Sequence, residues 1–427
     1  MWNNPSLWTV LLFLIPTAIG WPIAISMGFA MITVAWSFDM GIQMISLSFF
    51  NTIAKFPLLA IPLFILSGIL MERSGIAERL VRFIRTCVGS MTGGMAIASV
   101  VVATLWGALS GSGPATVAAL GVILIPAMVK EGYNKAFSAS VVSCASGLAI
   151  IIPPSTGFVL YALLANSSVA AIFAAGILPG IVMALCLIVS VAITTRKHGW
   201  RGAEREESLL KSLVGAVWAL MAPLIILGGI YGGIFTPTEA ASVSVAYALF
   251  VGVFIYKRIT WAVLYEALAT SAAASAVVML LVGCGGLYAW VATTTGMIDR
   301  VAGAVIAFSD NPTVVLSLLM ICLLGLGMIM DGVSIYFVVT PLMMPIMRHF
   351  GWDSTWFGVL MTMNIAIGQV TPPVAGNLFV GARLADLTIE DLTPWVIPLV
   401  IASVVAMFVV MLFPEIALFL PRRWGLL

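Results

Sequence analysis

Helix-breaking residues stand in the middle of this chain's long apolar runs rather than between them, and they do so twice. The first series reads Leu109-Ser110-Gly111-Ser112-Gly113-Pro114, then Pro126, Gly132 and Ile152-Pro153-Pro154-Ser155-Thr156-Gly157. A second series follows at a constant offset of 219 residues: Gly332 matches Gly113, Pro345 matches Pro126, Gly351 matches Gly132, and Pro372-Pro373 match Pro153-Pro154. Gly376 then matches Gly157, and Pro398 matches Pro179. Glycine frees the backbone and proline restricts it, so a collinear series of both repeats a chain geometry rather than a mere apolar composition. In lipid, a broken helix is tolerated only where protein or a wet cavity takes up its freed N–H and C=O groups. Interrupted apolar segments at corresponding places in two halves are the sequence mark of a secondary transporter's binding site.

Charge says that the solvent is lipid. Of 427 residues, 62% are hydrophobic and 8% are charged, against about 25% charged in soluble proteins. The net charge of +2 argues neither for nor against nucleic acid, but the lack of a basic tract interleaved with aromatics argues against it as a partner. Five cysteines (Cys87, Cys144, Cys186, Cys284, Cys322) lie scattered without a Cys-x-x-Cys pair and read as small packing residues, not as a disulfide frame or metal site. The first apolar run lacks a basic leader, exceeds a signal-peptide core and is expected to be a permanent span.

A span needs about 20 apolar residues. Leu7–Phe38 holds one broken span or two short ones around Gly20-Trp21-Pro22, and 56–71 the next. Residues 72–85, with Arg73, Arg79, Arg82 and Arg85, read as an amphipathic helix whose arginines reach lipid headgroups. The run 91–127 is broken at Ser110–Pro114 into halves of about 15 residues, too short to cross untilted, so a re-entrant hairpin is expected. Residues 136–165 form a span unwound at Pro153-Pro154, and 170–195 another. Arg196, Lys197, Arg201, Arg205 and Lys211, and later Lys257-Arg258, mark the cytoplasmic side. Spans 213–231, 240–256 and 261–290 lie around them. The second copy supplies an arm helix at 297–308, a hairpin at 314–347 broken around Asp331-Gly332, a span at 356–381 broken at Thr371-Pro372-Pro373, and a last span at 395–420.

Five crossings separate the two hairpins, an odd number, so the second copy enters from the opposite face. This leaves Arg422-Arg423 outside, against the charge rule. The expected fold is therefore an all-α polytopic membrane protein, an inverted repeat with two re-entrant helical hairpins and two unwound transmembrane helices. Residues 1–90 hold scaffold helices and the first arm helix, and 91–195 hold the first half of a transport domain. Residues 196–296 hold the cytoplasmic loop and further scaffold helices, and 297–427 the second arm and second half.

Oxygen atoms gather at the breaks. Ser110 and Ser112 offer hydroxyls, and the unwound turn 149–154 frees carbonyls; Gly327, Gly368 and Thr371 hold the corresponding places in the second copy. All-oxygen ligation suits a hard cation, with Na⁺ expected, and a helix C-terminus aimed at it adds partial negative charge. The same serines and glycines also let helices pack closely. An anionic solute would face the half-helix N-termini between the tips, where Ser155, Thr156 and Asn377 can donate, or else cap those half-helices. Asp331, the one carboxylate at a hairpin tip, is a functional candidate as an intramembrane ionisable group, with capping as its ordinary role. Glu239, with Thr236 or Thr238 before it, reads as a loop-to-helix start, with capping rather than catalysis as its role. A buried serine hydrolase would need a base, and the histidines His198 and His349 lie far in sequence from Ser110 and Ser112, so no enzyme is expected. A stand-alone Na⁺/carboxylate symporter is the nearest rival.

Six strings carry a family resemblance: Ser110-Gly111-Ser112, Gly132-Tyr133, Ile151-Ile152-Pro153-Pro154-Ser155, Gly176-Ile177-Leu178-Pro179-Gly180, Gly233-Ile234-Phe235-Thr236-Pro237-Thr238-Glu239-Ala240-Ala241 and Thr371-Pro372-Pro373-Val374. In this order, and over nearly the whole chain, they resemble the large membrane subunit of TRAP (tripartite ATP-independent periplasmic) transporters. The resemblance implies the transport subunit of a bacterial inner-membrane importer driven by a Na⁺ gradient, with no organic cofactor. It implies as partners a smaller four-helix membrane subunit, absent from this chain, and a periplasmic substrate-binding protein. Family substrates are mostly organic anions: C4-dicarboxylates, sialic acid, other sugar acids and some sulfonates. An elevator mechanism is implied, with the hairpins and broken helices moving together. The family's Na⁺ positions fall here on Ser110, Gly113, Ala149, Ile152 and Pro154 for one site, and on Gly327, Gly368, Thr371 and Val374 for the other. Gly113 stands where family members often carry serine, which leaves the first site to lean on Ser112 or water. Ala149 stands where glycine is usual, a change that keeps the carbonyl.

Overall fold

The computed structural model describes residues 4–88, 91–200, 208–373 and 375–427. Among them lie twenty α-helices and no strand. Eight helices are long and apolar enough to cross a membrane. A helix in lipid must be apolar and must pair its backbone internally, because lipid offers no partner.

Both breaks fall where the prolines and glycines stand. Helices Gly94–Ser110 and Gly113–Lys130 form the first hairpin, joined by Gly111 and Ser112. The first broken helix runs Lys135–Ser146, tightens into a 3₁₀ turn at Gly147–Ile150 and resumes at Thr156–Ala165. The second hairpin is Pro312–Gly327 with Gly332–Phe350, and the second broken helix is Ser354–Gly368 with Gly376–Leu384. The peptide bonds Pro153–Pro154 and Pro372–Pro373 are both cis. The corner after each hairpin turns on a left-handed glycine, Gly132 at φ 87° and Gly351 at φ 66°, a conformation open to a residue without Cβ. Between the halves run Val169–His198, Leu209–Tyr231, Pro237–Phe250 and Trp261–Thr294.

The packing of the two halves is reciprocal. Each hairpin's first arm lies along the first part of its own broken helix: Gly94–Ser110 on Lys135–Ser146, and Pro312–Gly327 on Ser354–Gly368. Each second arm also reaches the other half, Gly113–Lys130 to Gly376–Leu384 and Gly332–Phe350 to Thr156–Ala165, while Gly113–Lys130 packs along its own Lys135–Ser146 as well. The broken helices occupy the centre. Every residue from 136 to 155 and from 355 to 368 is buried, as expected of helices apolar all round.

Several elements depart from expectation. Leu7–Phe38 divides into Pro5–Ala18 and Ile23–Ser37, with Pro22 capping the second. A further helix, Gln43–Ile53, escaped the hydropathy reading because it has 11 residues, among them the polar Gln43, Ser46, Ser48, Asn51 and Thr52. The last run is Ile389–Leu412 followed by a separate helix, Glu415–Arg423. Pro414 pushes the preceding Phe413 out of helical geometry, to φ −121° and ψ 77°. The arginines of the amphipathic helix, Ile76–Val88, meet protein as well as solvent. Arg79 lies 3.6 Å over the Tyr256 ring, and Arg85 pairs with Glu131 at 3.0 Å. The helix packs on Leu209–Tyr231 and Gly94–Ser110, which turns those two side chains inward while Arg82 stays exposed. Arg201 and Arg205 lie outside the described residues.

Candidate ion and solute site

Each hairpin tip rests on a broken helix, backbone against backbone. A Cβ on Gly107 would fall 2.8 Å from the Ala149 Cα, and one on Gly111 would fall 3.1 Å from the Pro154 carbonyl oxygen. In the second half a Cβ on Gly327 would lie 3.1 Å from the Gly368 Cα. Such approaches need residues without side chains, which is why glycines gather at both tips. Ser110, Ala149, Ile152 and Pro154 thus share the first contact region, and Gly327, Gly368 and Thr371 the second. Val374 lies outside the described residues.

The local chemistry follows from the missing donors. Pro153 has no N–H for the Ala149 carbonyl and Pro154 none for that of Ile150. The Ser155 hydroxyl takes up the latter, donating to the Ile150 oxygen at 2.7 Å. Thr156 ties the break to the tip, its hydroxyl donating to the Gly111 carbonyl at 3.2 Å. Both hydroxyl protons are thereby engaged within the frame. In the second break the Gly368 carbonyl accepts from Thr371 N–H at 3.1 Å and keeps a second lone pair. Thr371 donates its hydroxyl to Ile367 at 2.6 Å, and Ser110 donates to the Ser112 carbonyl at 3.4 Å. Hydroxyls whose protons are so engaged offer any further partner oxygen lone pairs rather than protons. Ser112 stands at the start of the second arm without a capping bond from its side chain.

Gly113 faces elsewhere. Its absent side chain would point not at Ala149–Pro154 but at the second broken helix, 2.7 Å from Asn377 Oδ1 and 2.9 Å from Gln369 Oε1. A serine here would collide with both amides, so glycine is the residue that leaves them room. Asn377 is fully buried, and neither its Oδ1 nor its Nδ2 has a hydrogen-bond partner; Gln369 Oε1 is likewise unpaired. On the other side, a Cβ on Gly332 would lie 3.1 Å from Gln369 Nε2. Gln369 therefore sits between the two hairpins. An unpaired buried polar group costs about 1–3 kcal/mol, and three such atoms at one point mark a place built for something polar. Sequence reading missed Gln369 because its counterpart at 150 is isoleucine, so duplication carried no signal for it. The signal available was an amide inside an apolar run: between 356 and 381 the amides are Asn364, Gln369 and Asn377, and their counterparts are Ala145, Ile150 and Phe158.

Asp331 caps the second arm of its hairpin, accepting from Ser334 N–H at 3.1 Å and from the Ser334 hydroxyl, and its carboxylate is exposed. Of the two threonines Thr236 is the cap, and it forms a capping box with Glu239, Thr236 N–H donating to Glu239 Oε2 at 2.8 Å. His198 stacks against Trp200, away from the breaks.

A family model described as tripartite ATP-independent periplasmic transporter, DctM component, matches residues 10–416. The chain belongs to this family. It is 37% identical over 391 residues to the C4-dicarboxylate TRAP transporter large permease protein DctM of Pseudomonas aeruginosa, covering 90% of this chain and 91% of that one. It is 33% identical over 404 residues to the sialic acid TRAP transporter large permease protein SiaM of Vibrio cholerae, covering 92% and 94%. Against the isethionate TRAP transporter permease protein DctMQ of Oleidesulfovibrio alaskensis, 37% identity covers 94% of this chain, and the chain spans 64% of that relative's length. The fold is similar to that of the Alcanivorax borkumensis YdaH transporter, with a TM-score of 0.61 at 14% identity, covering 97% of this chain and 100% of that one. These relatives are permeases, not enzymes. This DctM-family member is a multi-pass membrane protein.

Proposed function

We propose that this chain is the large membrane subunit of a Na⁺-coupled importer of small organic anions in a bacterial inner membrane. The observation that carries the proposal is the docking of two glycine-lined hairpin tips on two broken helices, Gly107 and Gly111 at Ala149–Pro154 and Gly327 at Gly368. The donors at both places are oxygens: the hydroxyls of Ser110, Ser112 and Thr371 and the backbone carbonyls of Ala149, Ile152, Pro154, Gly327 and Gly368. This set fits a hard monovalent cation. Among the described residues no group of three or more His, Cys, Asp or Glu could hold a metal ion of another kind. Bound Na⁺ would supply positive charge beside the solute. The chain's part is to hold the oxygens in place and to close each tip over its break.

The solute position in this reading is between the tips, beside the unpartnered amide atoms of Asn377 and Gln369. Ion sites come from both halves and solute-binding amides from one, which accounts for a duplicated frame with an unduplicated pair of side chains. Relatives named for C4-dicarboxylates, sialic acid and isethionate support an organic anion as substrate. The five crossings between the hairpins, with the broken helix 135–165 counted once and the arm helix Met297–Ile306 left out, support an inverted repeat, with each hairpin re-entrant from an opposite face. In an elevator mechanism the hairpins and broken helices would move as one body against the remaining helices. A periplasmic binding protein would deliver the solute, and a small four-helix membrane subunit would complete the complex.

The test is uptake into proteoliposomes holding the chain with its small subunit, with the binding protein outside. Uptake should require an inward Na⁺ gradient; equal rates in Na⁺ and choline media would overturn the coupling. Full uptake without the binding protein would point instead to a stand-alone symporter.

A further inference from the structure

Away from the two tips, a crevice of about 440 Å³ separates the N-terminal helix Pro5–Ala18 from the second hairpin. Val10 and Phe13 line one wall, and Leu326, Met330 and Val338 the other. Its volume falls within the range of about 300–1,000 Å³ typical of small-molecule sites. One end is polar, with Asn4 and Arg300 at the rim. Arg300 donates to Asn4 Oδ1 at 3.3 Å and to the Thr295 carbonyl at 3.1 Å, and both partners are neutral. No carboxylate among the described residues is paired with its guanidinium.

We infer that this crevice holds one anionic phospholipid, an acyl chain between the N-terminal helix and the second hairpin and the phosphate at Arg300. The apolar length, the single cation at one end and the half-exposed Leu14 beside the opening match an amphiphile entering sideways from the bilayer. An arginine at a membrane surface favours anionic lipid, and an apolar crevice opening on hydrocarbon fills with acyl chain. Leu326 and Met330 flank Gly327, so a chain lodged there braces the second tip against the N-terminal helix. That bracing role rests on the transport reading; the lipid site does not, and its failure would leave Na⁺-coupled uptake untouched.

The experiment is native mass spectrometry of the full chain in neutral detergent, supplemented with phosphatidylglycerol or with phosphatidylcholine of the same acyl chains. One phosphatidylglycerol should be retained per chain, and phosphatidylcholine about fivefold less, the scale of one basic side chain facing an anionic lipid. Arg300→Gln should erase that preference while leaving an acyl chain retained. Val10→Trp and Val338→Trp fill the crevice from opposite walls, and either, once shown to melt as the unaltered chain does, should lose the retained lipid. Equal retention of the two lipids by the unaltered chain, an unchanged preference in Arg300→Gln, or undiminished retention in a folded filled variant would overturn the site. Displacement of the lipid by a copurifying membrane subunit would also overturn it, by making the crevice a protein interface.

Discussion

Gly327 and Gly368 meet without a side chain between them: a Cβ built on Gly368 would fall 2.7 Å from both Cα and C of Gly327. The first half makes the same kind of contact between Gly107 and Ala149, with the roles of glycine and alanine unequal. Where Ala149 keeps its methyl, Gly107 opposite has none. The approach of tip to break is conserved within the molecule while the residues that permit it differ.

Gly368→Ala is expected to push the second tip off its break. Overpacking costs about 1–3 kcal/mol, so the melting temperature should fall measurably in detergent, and uptake should fall further than stability alone explains. A variant melting as the unaltered chain does would mean that the tip tolerates displacement.

Replacing Gln369 or Asn377 by leucine should separate stability from function. Each leucine removes buried amide atoms that have no partner, a liability of about 1–3 kcal/mol. The variants should melt at the same temperature or higher while losing solute uptake and solute-dependent thermal stabilisation. Retained uptake in both would remove the amides from the solute site.

Ser110→Ala and Thr371→Val each delete one hydroxyl oxygen facing a proposed ion position. The Na⁺ concentration for half-maximal uptake should rise about tenfold in each, the effect of roughly 1.4 kcal/mol in binding. Far-ultraviolet circular dichroism should not change, since the two hydroxyls otherwise donate only to nearby carbonyls of their own segments. An unchanged Na⁺ titration in both variants would take these residues out of the ion sites.

Arg85→Met should destabilise the joint between the amphipathic helix and the base of the first hairpin. The Glu131 side chain is 9% exposed and the Arg85 side chain 29% exposed, so the substitution removes a cation that faces a nearly buried carboxylate. A loss of about 1–3 kcal/mol is expected, partly restored in Arg85→Lys, read as the urea or thermal midpoint of the purified chain. Equal midpoints for all three proteins would show the pair to be without energetic weight.

The sequence alone determined where the backbone breaks and how often. Proline removes a particular N–H and glycine opens a particular turn, so Pro153-Pro154, Pro372-Pro373, Gly132 and Gly351 announce their geometry locally. The helix start before Glu239 was readable for the same reason, as a cap and its partner lie within one turn, though the sequence left Thr236 and Thr238 both open as the cap. Lipid as solvent followed from the scarcity of charge. Tertiary structure alone decided that each hairpin's second arm also reaches the other half, that Gly113 opens onto Asn377 and Gln369, and that Arg79 and Arg85 turn toward Tyr256 and Glu131. These relationships join residues tens to hundreds of positions apart, and Gln369 had no counterpart to betray it. A local pattern reports which hydrogen bonds a backbone cannot make within its own helix; which distant side chain stands opposite the gap depends on how the helices pack.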